Sequence, residues 1–157
     1  MLRGLQAEIK QTTPFKTLEE EAYLNLLRTA DALVRKEVEL LKEYQLSPTQ
    51  YNALRILRGA GSEGVTCSEL SDRMLTKDPD VTRLVDRLDA RKLIQRARSD
   101  QDRRVVRTKI TKAGLDVLAE MDKPMAALGK AMLGHMTRKQ LEDFIRLLEL
   151  ARARAAP

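Results

Sequence analysis

A mainly α-helical chain carrying one small β-wing is predicted by three observations. Apolar residues recur at helical spacing over most of the 157 residues. Helix-start signals recur at Thr17, Ser47, Thr66, Asp78, Thr111 and Thr137. Residues 93–98 read as a strand and, past a turn at 99–103, residues 104–110 alternate with period two, as a hairpin does. The composition agrees: Leu, Ala, Arg, Lys and Glu dominate, and Trp is absent.

Residues 1–16 read as an N-terminal arm in which Leu2, Leu5 and Ile9 suit a short helical turn interrupted by Thr12-Thr13-Pro14, the arm being either packed on a partner subunit or frayed. Thr17 and Glu20 form a capping box that opens a helix running to about Tyr44. Its stripe is Leu18, Ala22, Leu26, Ala30, Leu33, Val34, Val38 and Leu41. A helix of roughly 40 Å is too long for one face of so small a domain, so packing along a second subunit is expected. Ser47, Pro48 and Gln50 start the next helix, with Tyr51, Leu54, Ile56 and Leu57 on its apolar side. The glycine-rich stretch 59–64 ends it, and Val65 suits a very short strand.

Thr66 and Glu69 box a short helix to about Met74, with Leu75-Thr76-Lys77 as the turn. Asp78 as N-cap and Pro79 at the first position start the helix that follows. Val81, Leu84, Val85 and Leu88 give it one apolar stripe; Asp80, Thr82, Arg83, Asp86 and Arg87 face the other way. Residues 93–98 and 104–110 then form the hairpin around the turn at 99–103, with Val106, Thr108 and Ile110 on one face. Thr111 caps a helix to about Gly134, where Pro124 should introduce a kink. Thr137 and Gln140 box the last helix, which is expected to bury Leu141, Phe144, Ile145 and Leu148. Two short helices, a tight turn and a following hairpin make a winged helix-turn-helix flanked by long terminal helices.

Charge is concentrated on that lobe. Residues 73–112 hold thirteen Lys or Arg and six Asp, a net of +7, while the whole chain nets +6. All the excess positive charge therefore lies in a quarter of the length, which favours a polyanionic partner. One Cys and one His provide neither a disulfide framework nor a usual zinc site, so no metal is expected. No apolar run suits a membrane span, and the N-terminus lacks a signal-peptide pattern, so a cytoplasmic location without membrane association is expected. There is no phosphate-binding glycine loop and no nucleophile–base pair; neither an enzyme nor a cofactor is expected.

Over residues 20–150 the chain resembles the MarR (multiple antibiotic resistance regulator) family. The resemblance lies in LSPTQYNALRIL, VTCSELSDRM, DPDVTRLVDRLDARKLIQR, DQDRRVVRTKITKAG with its Gly114, and TRKQLEDFIRLLELA. Its most specific piece is Asp102-Arg103-Arg104 in register before Ile110-Thr111. Lys92 departs from the pattern, standing where the family commonly has Gly. The resemblance implies one MarR-like domain over 1–157. In it, 17–46 and 112–154 are dimerisation helices and 47–111 is the DNA-binding lobe. It also implies a homodimer, a pseudo-palindromic double-stranded DNA partner, and usually release by a small-molecule effector or oxidant.

In the major groove, Arg83 suits bidentate readout of guanine, Thr82 a thymine methyl or a phosphate, and Asp80 a cytosine amine. Arg87 is expected on phosphate, and Lys77 joins the DNA-contacting set. The opposing view is a solvated face on which Arg83 and Arg87 pair with Asp80 and Asp86. By the family's wing motif, Arg104 enters the minor groove with Asp102 holding its side chain. Arg103, Arg98 and most of the remaining cations meet phosphates. Tyr51 and Arg55 are candidates for an effector cleft. Cys67, in a first helical turn, is a candidate redox thiol or a simple buried cysteine. His135 is given no ligand role. The expected function is a ligand-responsive, homodimeric repressor. Its rivals are a constitutive or architectural DNA-binding protein, with little operator preference and a steep salt dependence, and a protein-interaction module.

Overall fold

Thr17, Ser47, Thr66, Thr111 and Thr137, five of the expected helix starts, do cap helices. The computed structural model describes residues 4–77, 80–98, 102 and 104–154. In chain order it holds α1 (Leu5–Glu8), α2 (Leu18–Glu43), α3 (Pro48–Ala60), a 3-10 turn (Gly61–Glu63), α4 (Cys67–Arg73) and α5 (Val81–Ala90). There follow β1 (Ile94–Arg98), β2 (Val106–Ile110), α6 (Lys112–Leu133) and α7 (Arg138–Arg152). Ser47, Thr66 and Thr137 each form the full reciprocal box with Gln50, Glu69 and Gln140. Thr17 accepts the Glu20 N–H at 3.1 Å, but Glu20 reaches back to the N–H of Lys16 at 2.9 Å, one residue beyond the expected reciprocal partner.

The core lies in the lobe and at the C-terminal end of α2. Leu41, Leu54, Leu57, Leu70, Val85, Leu88, Leu118 and Met121 are fully buried in it. All four residues of the α5 stripe are buried, each worth about 2 kcal/mol of apolar transfer. The outer parts of the long helices lack such cover. On α2, Leu18, Tyr23, Leu26, Leu27 and Val34 are exposed. The expected burial along α7 is not found within one chain: no α7 residue is buried and Ile145 is exposed. Leu115, on the stripe expected for α6, is exposed too. α6 continues as helix through Pro124. The short helical turn expected in the N-terminal arm is present as α1, which packs on α2 through buried Leu5, with Glu8 3.9 Å from Arg28.

Among the described residues, three helices end on a left-handed residue that is not glycine. At Lys10, Gln45 and Lys92 the chain turns left-handed, with φ of 56°, 54° and 58°. Each stop closes a Schellman pair: Gln11 N–H to Gln6 O with Lys10 N–H to Ala7 O, Leu46 to Leu41 with Gln45 to Lys42, and Leu93 to Leu88 with Lys92 to Asp89. Lys92, the departure from the family's pattern, thus adopts the conformation that suits glycine. Glycine itself is required at 114, where a Cβ would strike the Leu93 carbonyl oxygen and approach Ile110 Cγ1 to 2.7 Å. That close approach docks the start of α6 on the strand entrance.

Strands β1 and β2 pair antiparallel, Ile94 opposite Ile110 through Arg98 opposite Val106. The short strand expected at Val65 is a bridge to Thr108, with both backbone hydrogen bonds made at 3.0 and 2.7 Å. Thr108 is buried between them, while Val106 on the same strand face is exposed. No described helix is long and apolar enough to cross a membrane.

Candidate nucleic-acid interface

Helix α5 presents a polar face because its apolar residues are spent on the core. Thr82, Arg83, Asp86 and Arg87 are exposed. Asp78 and Pro79, expected to start this helix, lie outside the described residues; the helix begins at Val81 with Asp80 as its N-cap. One Asp80 oxygen accepts the backbone N–H of Arg83 at 3.0 Å, and the other lies 3.0 Å from Arg83 Nε. The carboxylate is therefore occupied in capping and in orienting a guanidinium that remains largely exposed. Asp86 does not pair with Arg83 or Arg87. It accepts from Arg96 of β1, which also stands 3.9 Å from Asp89.

A polar groove of about 230 Å³ lies beside this face, lined by Ser47, Thr49, Asp80, Arg83, Leu84 and Arg87. Ser47 and Thr49 escaped the sequence reading as site residues because Ser47 is already explained as a helix cap. Their hydroxyls lie 2.9 Å apart at the positive end of α3, which suits an anionic oxygen. Lys77 is exposed in the turn before α5. That turn is held by Asn52 of α3, whose Oδ1 accepts the Leu75 N–H at 2.9 Å.

The wing sorts its charges into two kinds. Arg98 and Arg104 are exposed. Arg103, with residues 99–101, lies outside the described residues. Asp102 was expected to hold the Arg104 side chain, but its Oδ1 accepts the backbone N–H of Arg104 at 2.9 Å. Its carbonyl also accepts the Val105 N–H at 2.9 Å, so it shapes the turn rather than aiming the guanidinium.

Other cations bond to the protein itself. Arg107 donates to the Gly64 carbonyl at 3.1 Å and lies 3.7 Å from Glu69. Arg91 donates to carbonyls at the end of α2. With Arg96, three of the thirteen clustered cations brace the lobe rather than stand ready for phosphate. Hydrogen bonding to Asp86 raises the Arg96 pKa above its ordinary value. The Thr66 backbone N–H, donating to Glu69, holds that carboxyl below the usual range.

Tyr51 and Arg55 do come together. The Arg55 guanidinium sits 5.8 Å from the Tyr51 ring centroid. They line a cleft of about 270 Å³ with Arg58, Asp122, Met125 and Ala126. Arg58 Nη1 bonds both Asp122 oxygens at 3.0 Å. Burial pushes the Tyr51 hydroxyl pKa up, so it remains a neutral donor near neutral pH. Arg58 and Asp122 were invisible as a pair because 64 residues separate them. Cys67 is exposed rather than buried, at the first position of α4. Among the described residues no His, Cys, Asp and Glu group is arranged to hold a metal.

Helix, turn, buried-stripe helix and pinned hairpin together define a winged helix-turn-helix protein. The MarR family profile matches residues 44–105. A solved MarR transcription factor from Planctomyces limnophilus is 42% identical, with 87% of this chain and 99% of that one covered and a TM-score of 0.66. The chain belongs to the MarR family. The uncharacterized HTH-type transcriptional regulator YpoP of Bacillus subtilis (strain 168) is 34% identical over 59% of this chain. The match spans 64% of that relative's length. The S. aureus MepR–DNA complex shares the fold at 19% identity and a TM-score of 0.75, covering 84% of this chain and 97% of that one.

Proposed function

We propose that this chain is a sequence-specific, double-stranded DNA-binding transcriptional regulator that acts as a homodimeric, ligand-responsive repressor on a pseudo-palindromic operator. The carrying observation is the division of α5 into four buried apolar residues and an exposed face bearing Thr82, Arg83 and Arg87. A helix of this kind fits the major groove, where Arg83 reads guanine and Thr82 meets a thymine methyl or a phosphate. Asp80 orients Arg83 instead of accepting from a base. Arg87 and Lys77 take phosphates, with the Ser47 and Thr49 hydroxyls adding neutral donors to the same groove. On the wing, Arg98 positions the backbone and Arg104 enters the adjoining minor groove. The MepR neighbour of the same fold was solved with DNA, which supports DNA as the partner.

The uncovered apolar residues of α2 and α7 support the dimer. Two copies related by a twofold axis present two recognition helices to half-sites about one DNA turn apart. The cleft of Tyr51, Arg55 and Arg58 suits a small aromatic acid, with a ring against Tyr51 and a carboxylate near the guanidinium groups. Cys67 is exposed to oxidants, but no second cysteine in the chain is available to resolve a sulfenic acid.

Selection of bound sequences from random duplex DNA tests the proposal. Enrichment of a two-half-site palindrome, with a dimeric mass by light scattering, is the expected result. Binding without enrichment, together with a steep salt dependence, would replace it with the architectural reading. Failure of benzoate and related aromatic acids to release the operator would remove their class from the effector role.

A further inference from the structure

The C-terminal ends of two helices meet at Arg91. This residue is the C-cap of α5, and its guanidinium reaches the end of α2, 46 residues earlier in sequence. Nη1 donates to the Gln45 carbonyl at 2.5 Å, and Nη2 donates to the Tyr44 carbonyl at 3.2 Å. Tyr44 is the C-cap of α2, and Gln45 is the left-handed residue that ends it. Helix C-termini carry partial negative charge, and the guanidinium meets that of α2. A planar fork bridging consecutive carbonyls fixes direction as well as distance, which a single ammonium does not do. The rest of the connection passes through α3, which packs on both helices.

We propose that Arg91 is a positioning residue that locks the recognition helix to the dimer helix and so sets which half-site spacing the protein accepts. The inference rests on the homodimeric DNA-binding reading above, because α2 relates the recognition helices only if it lies in the dimer. One base pair inserted between half-sites moves the second by about 3.4 Å and turns it by roughly 35°. A clamped lobe cannot follow that shift, whereas a released lobe can.

The experiment uses the full chain and its selected operator, with one or two base pairs inserted or removed between the half-sites. Wild type is expected to lose about tenfold in affinity for the first base pair changed, comparable to a mismatch within the site. Arg91→Ala is expected to lose less than about threefold over the same change, at an unaltered salt slope. Arg91→Lys, which keeps the charge but not the fork, is expected to fall between them. It carries the comparison by itself if the alanine variant does not fold. A spacing profile in either variant identical to wild type overturns the inference. So does a salt slope lowered by about one with the profile unchanged, the behaviour of a plain phosphate contact. A monomeric wild type overturns the homodimer reading and this inference with it, and a dimeric wild type indifferent to spacing overturns this inference alone. A dimeric wild type with sharp spacing and an equally sharp Arg91→Ala overturns this inference alone.

Discussion

Asn52 Oδ1 accepts the backbone N–H of Leu75 at 2.9 Å, tying the helix-turn-helix turn to α3 across 23 residues of chain. Leu75 itself is 84% exposed, so its side chain contributes little to holding the turn. Asn52→Ala is therefore expected to cost about 1 kcal/mol, at the low end for a hydrogen bond because water reaches the freed N–H. Urea unfolding measures it. An unchanged midpoint would show that the turn is held by something other than this amide.

Lys92 occupies a left-handed conformation with φ 58°. A side chain there costs about 1 kcal/mol, which glycine avoids. Lys92→Gly is expected to stabilise the fold by less than that amount, read as a higher urea midpoint at an unaltered slope, since the Schellman hydrogen bonds are made by the backbone. The increase sets the gain at the turn against the greater entropy of an unfolded chain with glycine.

Arg83 and Arg98 are both exposed, yet their expected roles differ. Arg83→Ala should lose about 1–3 kcal/mol on the selected operator and little on scrambled duplex, relaxing one base position. Arg98→Ala should weaken both alike and lower the salt slope by about one. Equal losses on both duplexes for Arg83→Ala would assign it to phosphate.

Glu69 links stability to acid. Its pKa in the folded chain is depressed, chiefly by the hydrogen bond from the Thr66 backbone N–H. A carboxylate with a lowered folded pKa contributes stability that is fully present above its unfolded value, about 4.3. That contribution disappears as the pH falls through the lower folded value. The Glu69→Gln variant keeps a capping side chain but cannot titrate. Its unfolding midpoint is expected to vary less than that of wild type below about pH 4.3; identical acid limbs would deny the linkage.

Local signals were the legible part of the fold. Ser47, Thr66 and Thr137 satisfy their caps with residues three positions away, so nearby chemistry sufficed to locate the starts of α3, α4 and α7. The α5 stripe was legible for a similar reason: four apolar residues at helical spacing leave only one face to bury. The end of α2 was legible near Tyr44, but its left-handed turn at Gln45 was not, because Schellman bonds join backbone groups and do not identify the side chain carried at the turn. Asp80 as cap was obscured by Asp78 followed by Pro79, an equally good start signal two residues earlier.

At the candidate site, the exposed faces of Arg83 and Arg87 could be placed from helical spacing. The inward tasks of Arg91, Arg96 and Arg107 could not, since their acceptors arrive through tertiary folding. Nor could α7 be judged from its stripe. Periodicity says that a face is apolar, whereas burial depends on what lies against it.

The Val65–Thr108 bridge has a consequence for how the lobe opens. With both backbone hydrogen bonds made and both residues buried, the base of the wing joins the cooperative unit that contains the start of α4. The hairpin is therefore not an appendage that melts separately from the helices. Amide exchange at Val65 and Thr108 requires that unit to unfold, whereas exchange farther along the strands proceeds by local fraying. The root of the wing keeps its place in the fold through this bridge.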